Sequence, residues 1–427
     1  MSSTTRTRPP LRIRIRETFS DPVLRALTLA TLISTVGRGI SLTLVVLYLS
    51  LVARLPAEQV ALVFVVGSAV GLVASYLGGH LADSVSARAM LVGGVVIAGL
   101  ALASYALVTE LWQAIVAEIV ISIALGTNGT VRSAIIARAF TAEARVSSRA
   151  VLRTVTNIGI TAGTGVGAVA LALGSDEAYR VILVVGGVAY AASAVLLLRL
   201  PARVDAPRPV APGEGEPPAE RGRSPWRDPR YLLFSILAAV FAIQFVLLNM
   251  GIPLWVAHDT VAPTWVVSVL FVVNTVLVIA LQVPLSRGTH DFRRAGTVTA
   301  IAGVLMAFGC LLYGAAGGAS LLAAVLLLAA AAVLHAVSEV LSQAGAWGLS
   351  FELADPRRPG AYQGMAGMAF GVASMVGPVV ITATALTLGF LGWVILAVMF
   401  LAAAFGVAAI AFRAARSSRP VPDASTP

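Results

Sequence analysis

The sequence predicts an all-α membrane protein in which twelve transmembrane helices form two pseudo-symmetric six-helix bundles. The first observation is composition: of 427 residues, 58% are hydrophobic and only 12% are charged, whereas about 25% are charged in a soluble domain. The second is a set of twelve long apolar runs. The third is a polar, proline-rich stretch that separates the first six runs from the last six.

The apolar runs define the predicted helices, because a helix of about 20 apolar residues crosses the hydrocarbon core of a bilayer. A β-barrel is disfavoured, since a stretch such as Leu321 to Leu334 is continuously apolar instead of alternating. The predicted spans are residues 26–52, 60–80, 89–109, 111–135, 151–173, 180–200, 231–256, 264–285, 295–316, 320–343, 363–386 and 390–412.

The distribution of arginine predicts the orientation. All 30 basic residues are arginine. The odd-numbered connections hold only Arg54 and Arg180, whereas the tails and the even-numbered connections hold nearly all the others. By the positive-inside bias, both termini are predicted to be cytoplasmic. The same bias explains the basic N-terminal tail more simply than nucleic-acid binding does. The lysine-free, alanine-rich composition fits a bacterial source, and hence the plasma (inner) membrane.

Five segments follow from this pattern. A basic cytoplasmic tail, residues 1–25, precedes an N-terminal bundle, 26–200. A cytoplasmic linker, 201–230, is predicted to be largely disordered because it is rich in proline and charge. The C-terminal bundle, 231–412, is followed by a short cytoplasmic tail, 413–427.

A weak sequence similarity between the two halves supports the arrangement of six helices plus six. Gly159 and Gly165 in the fifth span are matched by Gly371 and Gly377 in the eleventh, and each pair is six residues apart. Because the two spans hold equivalent places in the two halves, we interpret the matching glycine spacing as an internal repeat.

The segment from Gly79 to Arg88, with Leu81-Ala82-Asp83 inside it, ends the second span. It resembles the signature of the major facilitator superfamily between helices two and three, although Ser84 and Ser86 replace a usual basic residue and a usual glycine. Gly79 would allow close helix contact, and Asp83 could bind Arg88 or a neighbouring helix N-terminus. The resemblance implies a cytoplasmic gate built from Gly79, Asp83 and Arg88; the alternative is a simple loop ion pair.

The fifth span carries Gly159, Gly163 and Gly167, which are four residues apart. This pattern resembles the glycine-rich motif of the drug:proton antiporter branch of the superfamily, with Thr164 where a proline is usual. The alternative is plain helix-helix packing through small residues. In the eleventh span, Gly377-Pro378 resembles the corresponding stretch of multidrug-efflux members, and Pro378 is predicted to kink the helix as a gating bend.

Ionisable residues within the spans are the strongest functional pointers, because each costs about 2.5–3.5 kcal/mol near a helix centre. Arg38 lies about 18 Å from one end of the first span, and Glu118 lies about 10 Å from the opposite end of the fourth. Their depths are similar, so we expect them to face one another, with Glu118 as the first proton-coupling candidate. A static ion pair is the alternative.

In the second half, His335 and Glu339 share one face of the tenth span and are further proton-coupling candidates. Glu339 could instead reach the cytoplasmic interface. Asn249 is the one neutral polar residue that we predict to line a substrate cavity. Topology alone explains most of the arginines at the inner ends of spans four and five, which are Arg132, Arg138, Arg145, Arg149 and Arg153.

These features predict a secondary active transporter that exports a small amphipathic or apolar molecule in exchange for protons. The scarcity of charge in the spans argues against a strongly ionic substrate. Proton-coupled nutrient uptake and a non-transporting membrane sensor or scaffold are the alternatives. No enzymatic motif is found, a single cysteine, Cys310, excludes a cysteine-rich metal site, and no cofactor is expected. We expect a monomer in the lipid bilayer.

Overall fold

A computed structural model describes residues 21–205 and 222–417, and all regular secondary structure in these two ranges is helical. Twelve helices in them are long and apolar enough to cross a membrane, which confirms the predicted fold class. They are α1 Pro22–Val52, α2 Glu58–Leu81, α3 Ala87–Leu107, α4 Leu111–Ala139, α5 Ala142–Leu173, α6 Asp176–Leu197, α7 Pro229–Asp259, α8 Trp265–Leu285, α9 Phe292–Ala316, α10 Leu321–Glu352, α11 Pro359–Leu386 and α12 Phe390–Ser417.

Two helices are much longer than their apolar runs. Helix α5 begins at Ala142 instead of residue 151, and α10 continues to Glu352 instead of residue 343. Alanine, glutamate and arginine favour helix as strongly as leucine does, so the helix continues where hydropathy falls. The extra turns place charged side chains on ordered helix at one end of the bundle.

The first helix of each half begins with the same N-terminal cap. Asp21 and Asp228 precede Pro22 and Pro229, and each aspartate caps the first turn of its helix. The Asp21 carboxylate accepts a hydrogen bond of 2.8 Å from the backbone N–H of Val23. An aspartate N-cap with proline at the first helical position is a favoured start, because proline needs no partner for an N–H there. The repeat thus extends to the beginnings of α1 and α7.

Helices α1 and α5 pack closely within the first half, as α2 and α4 also do. A Cβ atom at Gly159 would collide with Thr35, and one at Gly163 would collide with the backbone of Val36. Gly167 packs in the same way on Thr43. The three glycines therefore make close helix-helix contacts, and the antiporter interpretation of their spacing stays a prediction.

The two halves meet along four helix pairs: α2 with α11, α4 with α11, α5 with α8 and α5 with α10. We call the end of the bundle where α1 and α7 begin the linker side. Three π-helical turns lie toward the other end, at Tyr48–Val52, Leu247–Gly251 and Thr382–Leu386. Two of these turns occupy the equivalent helices α1 and α7.

The described ends of the linker are held against the helices, in contrast to the predicted disorder. The Asp205 carboxylate accepts hydrogen bonds from the Ser86 hydroxyl at 2.9 Å and from the backbone N–H of Arg88 at 3.0 Å. On the other side, the Trp226 indole donates a 2.7 Å hydrogen bond to the Tyr76 hydroxyl. The central part of the linker and most of both tails lie outside the described residues.

Candidate functional site: a cavity between the two halves

A cavity of about 980 Å³ lies between the two halves. Its walls come mainly from α2, α4 and α5 in the first half and from α7, α10 and α11 in the second. Ligand pockets usually measure about 300–1,000 Å³, so this cavity can enclose a drug-sized molecule.

The charge of the lining is one-sided. Four arginines line the cavity, all of them from the first half, and no carboxylate is among the described lining residues. The four are Arg38, Arg132, Arg149 and Arg153. The second half supplies most of the aromatic side chains of the lining; Phe64 comes from the first half, and the others are Phe234, Phe241, Phe245, Trp347 and Phe370.

Arg38 is exposed to the cavity from α1. Its two neighbours hold it there, because Gly37 packs on the backbone of Gly186 in α6 and Gly39 packs on α5. Arg132 of α4 lines the same cavity as Arg38. Neither guanidinium has a hydrogen-bond or ion-pair partner among residues 21–205 and 222–417, and the Nε of Arg132 is buried.

Arg149 is held by the second half without a carboxylate. Its guanidinium carbon lies 5.7 Å from the ring centre of Trp347 and 5.3 Å from that of Phe351. One of its nitrogens, Nη1, donates a 3.1 Å hydrogen bond to Gln363 of α11. A flat guanidinium over two aromatic faces is a favourable cation-π arrangement, so α5 is attached to α10 while the positive charge is kept.

Arg153 forms the only ion pair of the four arginines within the described residues. Its Nη2 lies 3.2 Å from the Glu339 carboxylate of α10, which is only 2% exposed. Asn274 and Gln343 also donate to this carboxylate, at 3.2 and 3.1 Å. The idea that Glu339 reaches a membrane interface is therefore wrong, because α10 continues well beyond it and buries it between the halves.

Glu118 does not pair with Arg38. Its carboxylate accepts a 2.7 Å hydrogen bond from the Tyr105 hydroxyl of α3 and a 3.1 Å hydrogen bond from Ser122. It also packs against Gly67 of α2. The expected pair fails because the two residues share a depth but face different directions: Arg38 faces the cavity and Glu118 faces α2 and α3.

His335 and Asn249 do not line the cavity. His335 is fully buried in the core of the second half, where its ring packs against Tyr313 with centroids 6.2 Å apart. The side-chain amide of Asn249 donates to the Phe245 carbonyl of its own helix at 2.6 Å. Neither residue is placed to touch a molecule in the cavity.

The linker side of the cavity is closed by Asp83. Its two carboxylate oxygens accept hydrogen bonds from the backbone N–H groups of Gly360 and Ala361, both at 2.8 Å. Arg138 of α4 completes the site with an ion pair of 2.6 Å. The helix N-terminus was one of the two predicted partners of Asp83; Arg88, the other, instead bonds to Asp205 and to the Leu200 carbonyl.

Close backbone packing accompanies this contact. A Cβ atom at Gly79 would collide with the backbone of Gly360 and Gly364 in α11. Nearby, Arg145 of α5 pairs with Glu352 of α10 at 3.4 Å. In the described ranges, every hydrogen bond and ion pair between the halves lies at the linker side or near the middle of the bundle, and none joins the opposite ends.

Gly377 and Pro378 lie where α11 borders the cavity. Pro378 lines it, and Gly377 packs on Val246 of α7. The α-helix continues through Pro378 to Ile381, and a π-helical turn follows. The gating bend at this position stays a prediction.

Sequence reasoning missed the importance of four arginines. Arg145, Arg149 and Arg153 are four residues apart and share one face of α5, which was a readable signal. The apolar run began at residue 151, so the first two were assigned to a connection. Arg132 lies inside the predicted fourth span, and its depth could have identified it.

The chain is similar in sequence and fold to membrane transporters. The family model of the Major Facilitator Superfamily matches residues 27–378. No curated protein sequence matches the chain significantly.

Three solved structures share the fold at low identity. The human organic anion transporter TETRAN superposes with a TM-score of 0.67 at 16% identity, over 94% of this chain and 100% of that one. The proton:xylose symporter XylE superposes with a TM-score of 0.67 at 14% identity, over 91% of this chain and 95% of that one. A bacterial homologue of the iron transporter ferroportin, in an outward-facing state, superposes with a TM-score of 0.70 at 12% identity, over 93% of this chain and 100% of that one.

Proposed function

Because this chain belongs to the Major Facilitator Superfamily, we propose that it is a secondary active transporter that moves a small amphipathic molecule across a plasma membrane by alternating access. One observation carries the proposal. The cavity between the halves is closed at the linker side by Asp83 and its partners, whereas no hydrogen bond joins the opposite ends of the described helices. Rocking the halves would break one closure and form another.

The arginine distribution supports placing the linker side in the cytoplasm, since positively charged connections remain there during insertion. With that orientation, the structure corresponds to an outward-facing state, and both termini are cytoplasmic. A bacterial plasma membrane and a functional monomer remain part of this proposal.

Proton coupling is supported by two buried or half-buried carboxylates. Glu339 faces Arg153 across the two halves, so its protonation would remove one charge of an inter-half ion pair. Glu118 is held by Tyr105 and Ser122 at the edge of α2 and α3. The solved structure of a proton:xylose symporter with this fold fits a proton-driven mechanism. His335 is a weaker candidate because it lies in the core of one half.

Export is the proposed direction, on the basis of the glycine pattern of α5 that resembles the drug:proton antiporter branch. The test has two stages. Growth of cells with and without the protein is first compared across a panel of toxic compounds. Compounds that the protein protects against are then measured in proteoliposomes with an imposed pH gradient and an internal pH-sensitive dye.

Export by exchange predicts that substrate moves against the direction of the protons. Movement of substrate and protons in the same direction would instead identify an uptake symporter. A protein that moves none of these compounds faster than empty liposomes, under either gradient, is not the proposed transporter.

A further inference from the structure

The cavity carries more positive charge than its surroundings neutralise. Of its four arginines, only Arg153 has a carboxylate partner in the part of the chain that the structure describes. Arg38, Arg132 and Arg149 have no carboxylate partner among the described residues, and no acidic group is among the described residues that line the cavity. Removing an unpaired charge from water is costly unless a counter-charge is supplied.

The pair formed by Arg38 and Arg132 points to where that counter-charge belongs. These two guanidinium groups come from different helices, α1 and α4, and line the same cavity. Neither donates a hydrogen bond to a described residue, and the buried Nε of Arg132 is left without an acceptor. An anionic group between them would relieve the repulsion and accept several charge-assisted hydrogen bonds.

The opposite wall has a different chemistry. Phe245 and Phe370 lie with ring centres 5.5 Å apart, and both line the cavity. Met375 adds a flexible apolar side chain to this wall. Aromatic and methionine surfaces suit an apolar or aromatic body of variable shape.

We propose, on the basis of the transport function above, that the substrate is an amphipathic organic anion. Its carboxylate, sulfonate or similar head binds between Arg38 and Arg132, and its apolar body packs on Phe245 and Phe370. This replaces the expectation that the scarcity of charge in the spans argues against a strongly ionic substrate, because the sequence did not show that four arginines line one cavity.

The decisive experiment compares three probes that share a naphthalene ring. They are 1-naphthaleneacetate, its neutral amide, and a naphthylmethyl trimethylammonium cation. Binding to the purified protein is measured by isothermal titration calorimetry in a neutral detergent. We expect the anion to bind at least about tenfold more tightly than the amide, and the cation to bind least, because charge-assisted hydrogen bonds exceed neutral ones.

Variants locate the binding. Arg38→Gln and Arg132→Gln should each weaken binding of the anion about tenfold or more and leave the amide unchanged. Arg180→Gln removes the same charge from an exposed position outside the cavity and is the matched control. Arg38→Lys keeps the charge and should retain part of the affinity, which covers the case in which a glutamine variant fails to fold.

Equal binding of anion and amide, no measurable binding of the anion, or unchanged affinity in both glutamine variants would overturn the proposal. Because binding in detergent needs no turnover, these outcomes leave the transport function standing. The transport function fails separately, when proteoliposomes show no flux of any compound.

Discussion

Arg153 of α5 and Glu339 of α10 form an ion pair of 3.2 Å that joins the two halves of the molecule. A second pair, Arg145 with Glu352, joins the same two helices at 3.4 Å nearer the linker side. The two pairs differ in burial: Glu339 is 2% exposed and Glu352 is 24% exposed. The chain therefore contains its own matched comparison of a buried and an accessible inter-half contact.

Glu339→Gln should impair proton-driven transport about tenfold or more, whereas Glu352→Gln should change it about twofold or less, because accessible ion pairs contribute about 0–1 kcal/mol. The glutamine keeps the hydrogen bond from Asn274 in place but removes the charge that faces Arg153. Rates in proteoliposomes with an imposed pH gradient provide the measurement. Equal effects of the two variants would remove Glu339 from the coupling mechanism.

Glu118→Gln tests the other carboxylate. If Glu118 carries the coupling proton, the variant should lose substrate movement driven by a pH gradient but keep exchange of labelled for unlabelled substrate at equal pH. Glu177→Gln, at an exposed position near the start of α6, is the control and should behave as wild type. Intact proton-driven flux in Glu118→Gln would assign Glu118 a static role.

Asp83→Asn should shift the molecule away from closure at the linker side. The carboxylate holds two backbone N–H groups of α11 and Arg138, and hydrogen bonds to a charged group contribute about 1.5–3 kcal/mol each. We expect at least about a tenfold shift in the conformational equilibrium, measured as the distance between spin labels on introduced cysteines at the ends of α2 and α11. The one native cysteine, Cys310, is buried.

The control for this shift is Asp205→Asn. Asp205 makes comparable hydrogen bonds to Ser86 and Arg88, but they join the end of the linker to the first half and do not connect the two halves. The label distance should stay at its wild-type value in that variant. A similar shift in both variants would mean that the aspartates act through general stability and not through closure.

Glycine variants should separate closure from folding. Gly79→Ala places a Cβ against the backbone of α11 in the other half, so the label distance should increase while the melting temperature changes little. Gly163→Ala places a Cβ against the Val36 backbone within the first half, and should lower the melting temperature. Gly165→Ala meets no atom within 4 Å and should change neither quantity.

The helices were predictable because each apolar run is continuous, and hydropathy alone defines such runs. The direction in which each side chain points was not predictable in the same way. Depth placed Arg38 and Glu118 at a similar level, but the rotation of α1 and α4 about their axes depends on packing at Gly37, Gly39 and Gly67. Without those contacts, the two residues could not be assigned to different faces.

Contacts between segments that are distant in sequence were the second feature that the sequence could not predict. Asp83 is near Arg88 in sequence, and that proximity made Arg88 a natural partner. The structure instead brings Arg138 and the start of α11 to Asp83, across 55 and 277 residues. The helix N-terminus was foreseeable as a type of partner, but its identity depends on how the second half docks.

The cationic wall of the cavity belongs to the first half, and the aromatic wall comes mainly from the second. If the halves rock as proposed, a molecule that engages both walls would bridge them, and its length would then set how far the halves can approach. Molecules too short to reach both walls would not connect the two halves, and molecules too long would keep the two halves apart. Substrate selectivity in this protein would therefore depend on the length of the molecule as well as on its charge.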